Sequence, residues 1–404
     1  MTEQLLSIEE CLGRFLEQTQ PVTRTERILI VDSIGRIAAS DLHSPIDVPS
    51  FPRSAMDGYA VRSCDLTGAS RENPRTLRVI GELFAGDFRE FDAAPGTAVR
   101  VMTGALVPEG FDCVVKQEDT DYGDTLVKIF TEGKPFMNDC PVGEDMRAGV
   151  CIAKRGTRIG MAHIGAFAAA GLQSVEVLQQ PRVCLLATGD EVIAPGEPLS
   201  PGKIYNSTVY MLASVIQKHG MSAEIAGNVG DDEEQLADAL KKCAERSDTI
   251  LTTGGVSVGK RDCIKRVLER IGAEILFTRA DIQPGTPTVG SLYRGIPILS
   301  LSGNPYAALV NFEVYFWALA AKLTGDETLQ PKRERLPLAE PYDKINRRRR
   351  FIRAYSDGRA VYLPEQNHAA SVITNVTACN CFIDLEAGRK VRVGDLVRVQ
   401  YMKE

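Results

Sequence analysis

A chain of 404 residues with a formal net charge of −6 is too long for one ordinary core, because domains run to roughly 100–200 residues, and about two to four of them are expected. The small negative charge leaves no electrostatic footprint for nucleic acid, and no apolar run reaches the roughly 18 residues of a membrane span: the most apolar helical stretch, Leu309 to Leu323, is interrupted by Asn311 and Glu313. The ten cysteines form no CxxC pair and the four histidines no HExxH, so free thiols fit better than disulfides or a zinc site, and the chemistry falls to carboxylates, backbone amides and a hard cation.

The opening MTEQLLSIEE carries neither a basic region nor a following apolar core, and a cytoplasmic protein is expected. Ser7 to Thr19 predicts an amphipathic helix with a capping box: Glu10 follows Ser7 by three residues, and Ile8, Cys11, Leu12, Phe15 and Leu16 share one face. Arg27 to Ala39 has the same helical character, until Pro45 and Pro49 break the regularity. In PSFPRSAMDGYAV, Pro49 to Val61, a polar and acidic cluster from Ser54 to Gly58 sits before the apolar pair Tyr59 and Ala60. Asp57 reads either as a turn-forming aspartate or as a metal ligand or general base.

From Thr76 to Phe130 the segments TLRVIG, TAVRVM, FDCVVKQ and DTLVKIF alternate with turn residues and predict a small all-β unit. Thr103 and Gly104 follow one of these strands directly, where a hydroxyl and a backbone N–H can meet a ligand. Glu132 to Gly149 looks like a linker carrying Asn138 and the triplet Gly143, Glu144, Asp145, and a helix is expected from Met161 to Gly171.

Between Pro181 and Gly325 apolar strands alternate with amphipathic helices. Strands are expected at Arg182–Ala187, Ala223–Asn228, Asp248–Thr253, Glu274–Phe277 and Ile296–Ser300, and helices near Ser207–Lys218, Glu233–Glu245, Cys263–Arg270 and Tyr306–Leu323. Such alternation predicts an open, mainly parallel sheet covered on both faces, with ligands outside the carboxyl ends of its strands. The polar residues fall there: Thr188 to Glu191 (TGDE), Gly230 with Asp231 and Asp232, the stretch DTILTTGGVSVGKRD with Gly254, Gly255, Ser257, Gly259 and Asp262, then Gln283 to Pro287 (QPGTP) and Ser302 to Pro305 (SGNP). The glycine stretch has the grammar of a phosphate site, although its spacing is neither GxGxxG nor GxxxxGK[ST], and an ordinary glycine-rich turn is the plainer alternative. Asp326 to Glu404 returns to short strands and ends in the period-two pattern VRVGDLVRVQY of a small β-barrel. Its Arg347 to Arg350 run, followed by Phe351, Ile352 and Arg353, reads as a solvated strand edge in preference to a nucleic-acid patch.

With SAMDGYA at Ser54–Ala60, MTGA at Met102–Ala105, GED at Gly143–Asp145, TGDE at Thr188–Glu191, GGVSVG at Gly254–Gly259 and SGNP at Ser302–Pro305, the chain resembles the molybdopterin molybdenumtransferases, the family of bacterial MoeA and the E domain of gephyrin. The resemblance runs nearly end to end. It implies a multidomain α/β protein: an extended linking domain from residues 1–44 and 135–178, a β-rich insert at 45–134, a doubly wound domain at 179–325 and a C-terminal β-barrel at 326–404. It also implies a homodimer whose site is shared between subunits, adenylylated molybdopterin and molybdate as substrates, and Mg²⁺. Implied partners are a molybdopterin adenylyltransferase and recipient molybdoenzymes. Carried over by motif, Asp57, Glu191 and Asp262 are catalytic, these three and Asp231 are metal ligands, and Thr103, Gly254, Gly255, Ser257, Ser302 and Asn304 hold the pterin phosphate and adenylate. The chain departs from the family's KPGKP loop, having Gln283 and Thr286 at the lysine positions, and from its arginines before GED, having Asp139, Cys140, Pro141 and Val142. Arg279 is then the remaining cation near that loop, and weak molybdate binding is expected. A pterin-binding or scaffolding paralogue without efficient metal insertion is the alternative these departures favour.

Overall fold

The computed structural model describes residues 5–256, 263–364 and 369–403. Within it the chain forms two compact units, one of residues Arg27–Ile34 with Ala38–Glu176, the other of Met1–Glu26, Gly35–Ile37 and Val177–Glu404.

The first unit is built on a five-stranded sheet in the order Cys113–Lys116, Gly58–Val61, Thr97–Val101, Arg75–Leu83, Leu126–Ile129. Only Arg75–Leu83 and Thr97–Val101 run parallel. Alternate residues feed two cores, Tyr59, Val61, Ala98 and Val115 on one face and Ala60, Val99, Val101 and Val114 on the other. Gly58–Val61, which reads in sequence as a turn followed by an apolar pair, is therefore a fully buried inner strand. Its glycine is required by the neighbour: a Cβ there would lie 2.0 Å from the Val115 carbonyl oxygen. Glu132–Gly149 is no free linker either, because Asp139–Cys140 pairs with Arg53–Ser54 and the Asp145 N–H donates to the Val48 carbonyl at 3.0 Å.

The helix expected over Arg27–Ala39 is absent. A strand at Thr25–Leu29 leads into a single 3₁₀ turn, Ile30–Asp32. The apolar residues that suggested a buried helical face stay exposed, Val31 at 67% and Ile34 at 60%, so no core holds a helix there.

In the second unit, Ile8–Gln18 is helical, and Ser7 and Glu10 form the expected reciprocal cap. The six-stranded sheet has the order Ser222–Val229, Arg182–Thr188, Thr249–Thr253, Ile296–Leu301, Pro287–Tyr293, Glu274–Arg279. The first four strands are parallel, and Pro287–Tyr293 is antiparallel to both of its neighbours, so Glu274–Arg279 runs in the same direction as the four. Pro287–Tyr293 was not anticipated, and it makes the sheet mixed. Its cause is local: Arg294 and Gly295, with φ of 51° and 78°, make a two-residue turn that pairs Tyr293 with Ile296, and a connection that short can only return antiparallel. Along the parallel strands Val183, Leu185, Leu251 and Leu299 face one core with Val209, Leu212, Ile216 and Trp317, while Cys184, Leu186, Ile250 and Ile298 face another with Leu236, Leu240, Ile264 and Val267. Helices on both faces bury these strands, which explains their unbroken apolar runs.

The C-terminal strands run in the order Arg333–Pro337, Leu396–Tyr401, Cys381–Leu385, Arg350–Ser356, Val361–Tyr362, all antiparallel. The sheet curls until Leu338 pairs with Val361, giving a half-barrel. Here the arginine run departs from its expectation as a solvated edge. Arg350–Ser356 is an inner strand, Phe351, Ile352 and Ala354 are buried, and Arg353 is fully buried with its guanidinium 3.5 Å from the Tyr306 ring centroid. Arg353 also donates to the Ala369 carbonyl at 2.8 Å and to the carbonyl of Val372, which fixes the loop after residue 368.

Asp248, at the head of the strand leading into the glycine stretch, is almost buried and accepts hydrogen bonds from Arg24 Nη2 at 2.7 Å and the Arg182 N–H at 2.8 Å. Burial works to raise its pKa, but the Arg24 guanidinium and the Arg182 amide outweigh it and hold the carboxyl below the usual range. A depressed native pKa contributes stability above the unfolded value of about 3.9, and that stability is lost as pH falls through the native pKa. Asp248→Asn is expected to lower the unfolding free energy at pH 7 by about 1.5–3 kcal/mol, with the gap to wild type narrowing below about pH 4 in urea titrations. A gap independent of pH would show that the charge is not what matters.

Candidate functional site

The carboxyl ends of the four parallel strands lie at one edge of the sheet, and the antiparallel pair brings the QPGTP loop to the same edge, since Arg279 is opposite Pro287 and Val289 opposite Ser300. All the polar loops noted in sequence thus converge on a cleft of about 660 Å³. It is lined by Thr188, Gly189 and Glu191, by Asp231, by Gly254 to Val256, by Pro284 and Gly285, and by Ser302, Gly303 and Asn304. Of the predicted site residues, Glu191, Asp231, Gly254, Gly255, Ser302 and Asn304 are brought together here. Ser257 and Asp262 lie outside the described residues. Arg279 lines neither this cleft nor the basic one described below.

The glycine pair allows the loops to close up. Gly254 and Gly255 have φ of +93° and +65°, and a Cβ on Gly254 would meet the Thr188 carbonyl oxygen at 2.6 Å. Gly303 in turn packs on Gly254, its ideal Cβ 3.4 Å from the Gly254 Cα. Asn304, at the N-cap position without a side-chain capping bond, precedes a helix that runs from Pro305 through a π turn at Phe312–Phe316 to Thr324. With Asn304 and Pro305 lining the cleft, the positive end of that helix lies at it. Asp190, which sequence reading passed over, ties two loops: its Oδ1 accepts the Asp231 N–H at 3.1 Å, and Gly230 leaves room for that carboxylate. Backbone amides, a helix N-terminus and the carboxylates Glu191 and Asp231 suit a phosphorylated ligand together with a hard cation.

A second cleft of about 360 Å³ opens beside the QPGTP loop, lined by Gln283, Thr286, Ile345, Asn346, Arg347, Arg348 and Arg350. The Gln283 N–H donates to the Arg349 carbonyl at 2.8 Å and the Phe351 N–H to the Gln283 carbonyl at 2.9 Å, so the arginine strand is stitched to the loop. Buried Asn311 pins the loop from the other side, its Nδ2 donating to the Gly285 carbonyl at 2.9 Å. Arg348 Nη1 and Asn346 Nδ2 are buried without a hydrogen-bond partner, and the nearest charge to Arg348 is Asp281 at 3.6 Å. Buried donors without hydrogen-bond acceptors are costly, and the Asp281 carboxylate offsets part of that cost for Arg348. Arginine side chains thus stand beside Gln283 and Thr286, from the bend at Arg347 and Arg348 and the start of the strand at Arg350, more than sixty residues later in the chain. The run itself was visible in sequence, but its position was not.

Asp57 and Thr103 belong to the other compact unit, where they meet each other. Asp57 Oδ1 accepts both the Thr103 N–H at 2.7 Å and its hydroxyl at 2.8 Å, and these bonds, the backbone one foremost, hold the carboxyl below its ordinary pKa. The Gly104 N–H donates to the Ser54 carbonyl, and the Ser54 N–H to the Ala105 carbonyl, both at 2.8 Å, locking the two motifs together. Thr103 thereby serves as the donor that orients Asp57.

Fold and clefts define a class: a multidomain α/β protein whose doubly wound sheet presents a glycine-rich polar cleft at its carboxyl edge, with an arginine-lined cleft beside it. The chain matches the family models described as MoeA N-terminal region (domain I and II) over residues 6–171, probable molybdopterin binding domain over 184–321, and MoeA C-terminal region (domain IV) over 335–401. It is 34% identical over 94% of its length to the molybdopterin molybdenumtransferase of Bacillus subtilis, covering 90% of that protein. It is 32% identical to the Haemophilus influenzae protein of the same name, with 98% of each chain covered. Two crystal structures of the molybdopterin biosynthesis MoeA protein from Pyrococcus horikoshii superpose with TM-scores of 0.88 and 0.79, at 29% and 25% identity, over 98% and 99% of this chain and 99% and 100% of theirs. The chain belongs to the molybdopterin molybdenumtransferase (MoeA) family.

Proposed function

We propose that the protein transfers molybdenum from molybdate to adenylylated molybdopterin, splitting the phosphoanhydride and releasing AMP, to give molybdenum cofactor. The observation that carries this reading is the adjacency of two clefts of different character around the QPGTP loop, one suited to a phosphorylated pterin, the other to a small oxyanion. Gly254 and Gly255 let the backbone approach the phosphates, and the helix starting at Pro305 adds its positive end. Glu191 and Asp231 offer the oxygen donors Mg²⁺ prefers, and Asp262 follows in the same glycine stretch; a bound Mg²⁺ would neutralise charge on the phosphoanhydride. Arg347, Arg348 and Arg350 hold molybdate in place of the family's lysines. That substitution weighs against the scaffolding reading, which rested on the lost cations.

We further propose a homodimer with each site completed by Asp57 and Thr103 of the partner, acting in the cytoplasm between a molybdopterin adenylyltransferase and recipient molybdoenzymes. The division into a linking domain, β-rich insert, doubly wound domain and barrel, with the boundaries given above, belongs to the same reading. The exposed Leu29, Val31, Ile34 and Met161 are apolar surface suited to a second copy. Incubation with adenylylated molybdopterin, Mg²⁺ and molybdate is expected to release AMP and yield a molybdenum-containing product. Pterin binding without AMP release would favour the scaffold instead. For the shared site, equal amounts of Asp57→Asn and Asp262→Asn chains, exchanged into mixed dimers, are expected to recover about a quarter of the wild-type rate, because half the dimers are mixed and each then has one intact site. No recovery in verified mixed dimers would place each site within one chain.

A further inference from the structure

We propose that Asp41, His43 and Cys151 form a binding site for a divalent transition-metal ion, Zn²⁺ being the best match to the donor set. None of the three belongs to the residues assigned to the reaction, and the two strands that carry them lie more than a hundred positions apart in sequence. They meet because Leu42–His43 pairs antiparallel with Cys151–Ala153, with His43 directly opposite Cys151. Directly opposite residues project to one face of a sheet, and Asp41, two positions before His43, joins them there. One carboxylate oxygen, one imidazole nitrogen and the sulfur all lie within 4.8 Å of one another. Donors bonded to tetrahedral zinc at about 2.0–2.3 Å stand roughly 3.3–3.8 Å apart, so closing on the ion takes a movement of about an ångström, within the reach of exposed side chains.

The surroundings prepare these donors for a metal. His43 Nδ1 lies 3.0 Å from the Gly149 carbonyl oxygen, which can only accept, so Nδ1 carries the proton and Nε2 presents its lone pair. A backbone carbonyl on the far nitrogen is the usual support of a metal-bound histidine. Asp41 Oδ1 accepts the Arg155 N–H at 2.8 Å, which fixes the carboxylate and leaves it a second oxygen. The strand pair is clamped by the Ser44 N–H to the Val150 carbonyl at 2.9 Å and the Gly149 N–H to the Ser44 carbonyl at 2.8 Å. Mixed sulfur, nitrogen and oxygen donors select a borderline ion over Mg²⁺, which takes oxygen alone, and three protein ligands leave a fourth position for water or an external ligand. The thiol releases its proton to solvent on binding.

The full-length protein, stripped with chelator, is titrated with Zn²⁺ against a chromophoric competitor and, separately, with Co²⁺ as a spectroscopic probe. One ion per chain is expected, with a thiolate-to-cobalt charge-transfer band that disappears in Cys151→Ser. His43→Gln and Asp41→Asn are each expected to weaken Zn²⁺ at least about tenfold, and excess Mg²⁺ not to displace it. Cys64→Ser, which removes the other exposed thiol, should leave band and affinity unchanged. Survival of the band in Cys151→Ser, its loss in Cys64→Ser, or failure of the wild type to compete for Zn²⁺ would each overturn the assignment. Circular dichroism of the metal-free variants identifies misfolding, and in that event the wild-type stoichiometry and the Cys64→Ser result decide.

Discussion

Replacing Arg348 and Arg350 together by glutamine is expected to raise the molybdate concentration needed for half-maximal AMP release by about 10²–10⁴ fold, each guanidinium contributing a charge-assisted hydrogen bond of about 1.5–3 kcal/mol. Both side chains line the cleft beside Gln283 and Thr286, and Arg348 Nη1 has no hydrogen-bond acceptor, its ion pair with Asp281 being 3.6 Å long. Glutamine keeps an NH₂ donor but is shorter and cannot offset the charge of an oxyanion, a deficit that a partly desolvated cleft magnifies. Affinity for the adenylylated pterin should change little, since neither arginine lines the larger cleft. Arg349 provides the contrast within the same run. Its Nε and Nη2 both bond the Asp384 carboxylate at 2.7 Å and its Nη1 bonds Glu9 at 2.6 Å, so Arg349→Gln should cost stability and spare molybdate dependence. The two lysines absent from the QPGTP loop can be restored as Gln283→Lys with Thr286→Lys. With guanidinium charge already present, the gain should stay below about tenfold. A gain of several hundredfold, with no effect from losing Arg348 and Arg350, would mean that the arginines do not hold the anion.

Asp57→Asn is expected to reduce AMP release by at least about 10² fold while the melting temperature moves little. The substituted side chain keeps an oxygen to accept the Thr103 N–H and hydroxyl, so the contacts joining the two motifs survive. Only the charge is lost. Those same contacts hold the Asp57 carboxyl below its ordinary pKa, and it therefore enters the reaction ionised at any pH near neutrality. It can bind a cation, accept a proton or stabilise positive charge, but it cannot donate a proton from its resting state. Its contribution to activity should be constant above about pH 5 and fall only in strongly acidic solution. Turnover equal to wild type would return Asp57 to the role of a turn residue fastening Thr103.

Much of this protein is written locally in its sequence. The capping box at Ser7 and Glu10, the helix from Glu233 to Arg246 and the alternation of strand and helix after Pro181 rest on periodicity and capping within a few residues, and all are found in the fold. The loop chemistry of the larger cleft was legible for the same reason: in parallel strands covered by helices, every carboxyl end falls at one edge, so TGDE, GG and SGNP must converge. Long-range pairing decided the rest. Gly58–Val61 reads as a turn because the glycine that permits close approach of Val115 is also a turn residue, and only the neighbouring strand distinguishes the two. The arginine run has the composition of a solvated edge, yet the strand it leads into, Arg350–Ser356, pairs on both sides and Arg350 meets the Gln283 backbone, so the run lines the cleft beside that loop. Asp41, His43 and Cys151 share no spacing that a motif could record, because a metal-type cluster across two strands is set by register, and register is fixed only when the whole unit packs.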